Sequence, residues 1–143
     1  MATEHTFPAR VDWAFGRTVI AHVHGKSPLR VAAPPEFDPD ASPTTWSPED
    51  LLVNALATCV AVTLTGQAAK RRVPLVDLRV SAVGTVAGGS FTGFDVTISV
   101  VTEPGWEEGA ELAAERAQHC LVGSSLAAPV RYSAAVTSGV PVI

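Results

Sequence analysis

Apolar and polar residues alternate loosely along residues 9–15, with Val11 and Trp13 on one side. A second run sets Val19, Ala21 and Val23 against Thr18, Ile20, His22 and His24. Both patterns have the period of a strand. Gly25-Lys26-Ser27-Pro28 is a turn signal, and Leu29 to Ala33 gives a third strand, so the first part of the chain reads as a small antiparallel sheet. Alternation returns in Val76, Leu78, Val80 and Ala82, and again in Phe94, Val96, Ile98 and Val100, with Gly88-Gly89-Ser90 between them. That is a hairpin with one buried face. Residues 107–119 carry Glu107, Glu108 and Glu111 early and Arg116 and His119 late, which predicts a second helix, slightly weakened by Gly109. Val130 to Thr137 reads as a last strand.

The first helix is the clearest element. Five prolines between Pro34 and Pro48 exclude regular structure there and leave an extended loop, with Phe37 and Trp46 available as anchors. Ser47 is a good N-cap, Pro48 suits the first helical position, and Glu49 and Asp50 match the helix dipole. Asp50 also completes an approximate capping box with Ser47. The helix runs to Lys70-Arg71-Arg72 and is closed by Pro74. The order of elements predicts one α+β domain over residues 1–143, built on antiparallel sheet: strands in 1–33, a Pro-rich loop at 34–48, a helix over 47–72, then hairpin, second helix and last strand in 75–143.

Composition changes this picture at one place. Charged residues are 17% of the chain, against a usual ~25%, and the deficit is concentrated. From Leu51 to Ala69 there is no charge at all. The run is about as long as a membrane span, yet Asn54 and Gln67 are costly in hydrocarbon. A helix buried on nearly every side is therefore the expectation, and no membrane partner is expected. A net charge of −4, with no basic cluster beyond Lys70-Arg71-Arg72, gives no footprint for nucleic acid. High aliphatic content excludes disorder. Met1 to Arg10 has no apolar segment of the kind that directs export, which points to the cytoplasm.

Two cysteines are too few for a disulfide scaffold, and in a reducing compartment they are buried, redox-active or catalytic. Cys59 lies in the middle of the first helix and Cys120 at the end of the second. Both could be small core hydrophobes. They could equally form a pair cycling between dithiol and disulfide, since two packed helices can bring cysteines into range. Glu49 taken alone matches the helix dipole, and Arg17 taken alone is a solvated surface group. His22 and His24 share a strand face, and with His119 and a cysteine they make a conceivable zinc set. HxH without a companion at standard spacing argues against it, and no metal is expected.

The run Ser47-Pro48-Glu49-Asp50-Leu51-Leu52, followed by Ala55-Leu56-Ala57-Thr58-Cys59, resembles the helix signature of the OsmC/Ohr family, the osmotically inducible and organic hydroperoxide resistance proteins. Cys120, within Ala117-Gln118-His119-Cys120-Leu121-Val122, sits where that family has its second cysteine. The flow of elements matches over nearly the whole chain. The resemblance implies antiparallel sheets around a long central helix in an intertwined homodimer, with a site at each subunit interface. It implies a thiol-dependent peroxidase that reduces organic hydroperoxides, with an external thiol reductant, possibly a dithiol, and no bound cofactor. In that scheme Cys59 is the peroxidatic cysteine, Cys120 the resolving one, and Arg17 the activating arginine with Glu49 as its ion-pair partner.

The chemistry so implied is coherent. A thiol in an apolar mid-helix setting resists ionisation and needs a cation nearby. A guanidinium supplies one and can hold a peroxide oxygen, and a carboxylate can orient it through a bidentate pair. Three features depart from the family pattern: Leu121 follows Cys120 where Pro is common, the loop before Pro48 lacks a glycine-rich run, and Arg30 competes with Arg17. They mark a divergent OsmC-like chain. A non-catalytic, stress-associated binding dimer with inert cysteines is the alternative.

Overall fold

Strand pairing builds two three-stranded sheets, one from each part of the chain. The computed structural model describes residues 3–140; the two ends of the expected domain, residues 1–2 and 141–143, lie outside the described residues. By packing, the chain divides into two compact units, one up to Leu52 and one from Val53 onward.

In the first unit β1 (Arg10–Phe15), β2 (Thr18–His22) and β3 (Leu29–Ala32) pair antiparallel in that order. Register puts Val11 opposite Ala21, Trp13 opposite Val19, and Val19 opposite Val31. One face of this sheet is thus apolar, as the alternation predicts. Very little of β1 is covered, however: all six of its residues are exposed, and Trp13 keeps 75% of its surface. The proline-rich stretch forms turns and one bridge, in which Trp46 pairs with Val31 and accepts the Ala32 amide at 2.9 Å. It delivers the chain to α1 (Pro48–Lys70). The capping box closes in both directions, Ser47 N donating to Asp50 Oδ2 at 2.9 Å and Asp50 N to Ser47 Oγ at 3.1 Å.

The second unit carries the core. β4 (Leu75–Ala87) and β5 (Ser90–Thr102) form the predicted hairpin. Gly88 and Gly89 have φ of 64° and 83° at its tip, the left-handed pair that a tight two-residue turn requires. Phe94, Val96, Ile98 and Val100 of β5 are buried. They form the core with Leu56, Val60, Leu64 and Ala68 of α1 and with the alanine face of α2 (Glu107–Ala117). Alanines let α2 lie close to the sheet. Close approach also explains Gly109, because a Cβ there would stand 2.9 Å from Val73 Cγ2. Val73 is fixed by the end of α1, where its amide reaches Ala68 O at 2.9 Å and Arg72 N reaches Ala69 O at 3.1 Å, with Arg72 at φ 57°.

Three expectations need correction. The second helix stops at Ala117, and a separate short helix, α3 (Leu121–Ser125), follows it. The last strand, β6 (Val130–Ser138), pairs with β5 in parallel, not antiparallel. The helical return through α2 and α3 carries the chain back to the starting end of β5, and a strand begun there must run the same way. Finally, α1 is not buried on every side. It is long and apolar enough to cross a membrane by length and composition, yet only the stripe Leu56, Val60, Leu64 and Ala68 is buried, and Val62 is 70% exposed. One sheet face can cover only one side of a helix.

Candidate functional site

The two cysteines meet inside the second unit. Cys59 projects from α1 just beside the buried stripe and is half-buried. Cys120 is the N-cap of α3, with an extended backbone (φ −68°, ψ 155°), and only 2% of it is exposed. Its carbonyl accepts the Ser124 amide at 3.0 Å, which fixes the residue at the helix start. Burial pushes the Cys120 thiol above its ordinary pKa of 9.0; a hydrogen bond from the Gly123 backbone opposes this, and the adjacent Cys59 thiol adds to it. A solvent-reachable thiol therefore stands next to a buried one, which is what an internal dithiol–disulfide couple needs.

A third group belongs to this cluster and was not singled out in the sequence. A Cβ built on Gly123 would lie 2.7 Å from Tyr132 Oη, 3.2 Å from Cys120 Sγ and 3.3 Å from Leu56 Cδ1. Gly123 leaves open the space that the tyrosine hydroxyl enters beside the sulfur. Tyr132 comes from β6, on the same sheet face as its register partner Val96. Its pKa is raised from 10.0, mainly by burial and then by the charges of Cys120 and Cys59. The sequence held one signal for it: Tyr132 is the only tyrosine, at a core-facing position of the last strand.

Arg17 and Glu49 lie in the first unit. Gly16, at φ 53°, turns the chain between β1 and β2 and presents Arg17. Arg17 and Glu49 both line a cavity of about 280 Å³ whose other walls include Val19, Val31, Phe37 and Pro48. They share the cavity without pairing. Among the described residues no ion pair within 4.0 Å joins them, and Arg17 Nη1 instead donates to Phe37 O at 3.4 Å. Glu49 Oε2 is buried with no hydrogen-bond partner. A buried carboxylate oxygen left so is expensive, and it marks an acceptor waiting for a donor. Arg30 stacks over Phe15, 5.9 Å from the ring centre. It lines a larger, more polar cavity of about 640 Å³ together with Arg17, Asp38 and Asp40. His22 lies 3.2 Å from Asp12 Oδ2, and among the described residues no three metal-ligating side chains gather.

A helix-borne cysteine beside a second cysteine at a following helix start, in an α+β fold, makes this a two-cysteine α+β protein. The OsmC-like protein family matches residues 40–134, and the chain belongs to it. Among solved structures, an OsmC-like protein from Vibrio cholerae superposes with a TM-score of 0.76 at 21% identity, covering 92% of this chain and 100% of that one. An organic hydroperoxide resistance protein from Elizabethkingia anophelis gives 0.70 at 19% identity, covering 97% and 100%. One from Legionella pneumophila gives 0.68 at 18%, covering 95% and 99%. At these identities the likeness is one of fold. No curated protein sequence matches the chain.

Proposed function

We propose that this protein is a thiol-dependent peroxidase that reduces organic hydroperoxides to alcohols, working as a homodimer in the cytoplasm. The observation that carries the reading is the half-buried Cys59 thiol against the buried Cys120 thiol, in a family that includes organic hydroperoxide resistance proteins. The Cys59 thiolate attacks the distal peroxide oxygen and the O–O bond breaks. The alkoxide takes a proton and leaves as the alcohol, and Cys59 becomes a sulfenic acid. Cys120 attacks the Cys59 sulfur, water departs, and a Cys59–Cys120 disulfide forms. Two equivalents of an external thiol, or one dithiol, return the pair to the reduced state.

A second copy of the chain supplies what one copy lacks. Glu49 and Cys59 are ten residues apart on one helix, about 15 Å of rise. In this reading the Arg17 and Glu49 that serve a given Cys59 come from the other subunit, at an interfacial site. Exposed apolar surface on β1 and α1, at Trp13 and Val62, is what that subunit covers. Loss of cumene hydroperoxide in the presence of dithiothreitol tests the reading. Turnover that depends on Cys59 supports it, whereas absent turnover, or full turnover by Cys59→Ser, would sink it.

One observation favours a second reading. Arg17 engages Phe37 rather than Glu49, so the cation is not set for activation in the single chain. In that reading the protein is a binding dimer with inert cysteines, and Cys59 reacts with an alkylating probe no faster than a model thiol.

A further inference from the structure

Resting on the peroxidase reading, we infer that Tyr132 is a catalytic residue for the second half-reaction: its hydroxyl donates a hydrogen bond to the Cys120 sulfur as that sulfur becomes a thiolate, and so sets the rate of disulfide formation. The geometry rests on Gly123. One point in space, the missing Cβ of that glycine, lies 2.7 Å from Tyr132 Oη and 3.2 Å from Cys120 Sγ. The hydroxyl and the sulfur thus face each other across a gap no wider than those two distances together. Leu56 Cδ1 lines the same space at 3.3 Å, so the phenol and the sulfur share it with an apolar wall.

The chemistry needs such a donor. Disulfide formation breaks the S–O bond of the Cys59 sulfenic acid and forms the S–S bond. The Cys120 proton leaves with the hydroxyl as water, and no outside electrons enter. The attacking sulfur has to carry negative charge in a buried place, and burial already holds the Cys120 thiol above its ordinary range. A neutral thiol is a weak acceptor, whereas a thiolate is a strong one. A hydrogen bond from Tyr132 is therefore made most strongly as the charge develops, which is how a nearby donor lowers a barrier rather than merely stabilising the resting state. Gly123 is part of the device, because any side chain there would take the place of the hydroxyl.

Tyr132→Phe keeps the ring and removes the donor. Reduced protein is mixed with one equivalent of cumene hydroperoxide, and sulfenic acid and disulfide are followed by mass spectrometry against time and pH. The expected result is accumulation of sulfenic acid on Cys59 in the variant. Disulfide formation should be slower by about tenfold to a hundredfold, the scale of one hydrogen bond to a charged group, with its pH profile moved to higher pH. A purely structural tyrosine would not move that profile. Disulfide formation at the wild-type rate with the wild-type profile would overturn the tyrosine's role and leave the peroxidase reading standing. Neither sulfenic acid nor disulfide in the wild-type protein would overturn both. Because Tyr132 is the only tyrosine, its ionisation can also be read from tyrosinate absorbance without any peroxide. Its midpoint should fall when both cysteines are replaced by serine, and an unchanged midpoint would separate the hydroxyl from the sulfurs and overturn the inference.

Discussion

The two units differ in how they hold together. From Val53 onward, β5 alone buries Phe94, Val96, Ile98 and Val100, and both thiols lie within that packed region. Up to Leu52, the buried side chains among the described residues are few, Val31, Ala32 and Ser47, while Val11, Trp13 and Phe15 stand in solvent. A hydrophobic pattern therefore predicts a strand equally well in both, but it does not say whether the apolar face is covered by the same chain. In the second unit it is. The first has the pattern of a covered sheet without its own cover, and that is the physical case for a second copy.

Mutations can break this contrast. The largest effect is chemical: Cys59→Ser should reduce peroxide turnover by on the order of a thousandfold or more, as loss of a nucleophile does, with the fold intact by circular dichroism. Next is the core. Phe94→Ala should destabilise the chain by about 3–5 kcal/mol in urea unfolding. Trp13→Asp, on the other unit, should leave the core of the second unit folded and instead shift the protein towards monomer in analytical ultracentrifugation. If Trp13→Asp unfolds the whole chain as Phe94→Ala does, the two units are not different in kind. Ser47→Ala removes one half of the capping box and should cost about 1 kcal/mol, measured in the same urea series.

The smallest effects concern pH. The Cys120 thiol is raised mainly by burial, so its folded pKa lies above the unfolded one. Its contribution is fully present below the unfolded value and is lost as pH rises through the folded value. Stability should therefore decline in the alkaline range, and Cys120→Ala should flatten that decline. Asp95 behaves in the opposite sense. Its side-chain hydrogen bonds to Arg131, at 2.8 and 3.0 Å, hold its carboxyl below the usual range. Any contribution is present at neutral pH and lost in acid, and because the pair is exposed Asp95→Asn should change the melting temperature little.

Local signals were the legible ones. Ser47-Pro48-Glu49-Asp50 announced the helix start because capping is short-range chemistry written in adjacent residues. Gly88-Gly89 announced the hairpin for the same reason. The parallel pairing of β6 was less visible, since strand partners are chosen by the path of the chain through α2 and α3 and not by the strand's own pattern. Gly109 looked like a weakness in α2, and its reason, the approach of Val73, lies in another segment. Tyr132 and Gly123 were missed on the same account: a glycine leaving room for a hydroxyl is a relation between two elements. Cys59 and Cys120 were legible as chemistry, whereas the partnership of Arg17 with Glu49 is present as a shared cavity and not as an ion pair in the single chain.

The most direct test of the central claim is the intact mass of the reduced protein after one equivalent of cumene hydroperoxide. The wild-type chain should lose two hydrogens, with a disulfide joining the peptides that carry Cys59 and Cys120, and Cys120→Ser should show no such loss. An unchanged wild-type mass, with both thiols still open to alkylation after unfolding, would contradict it.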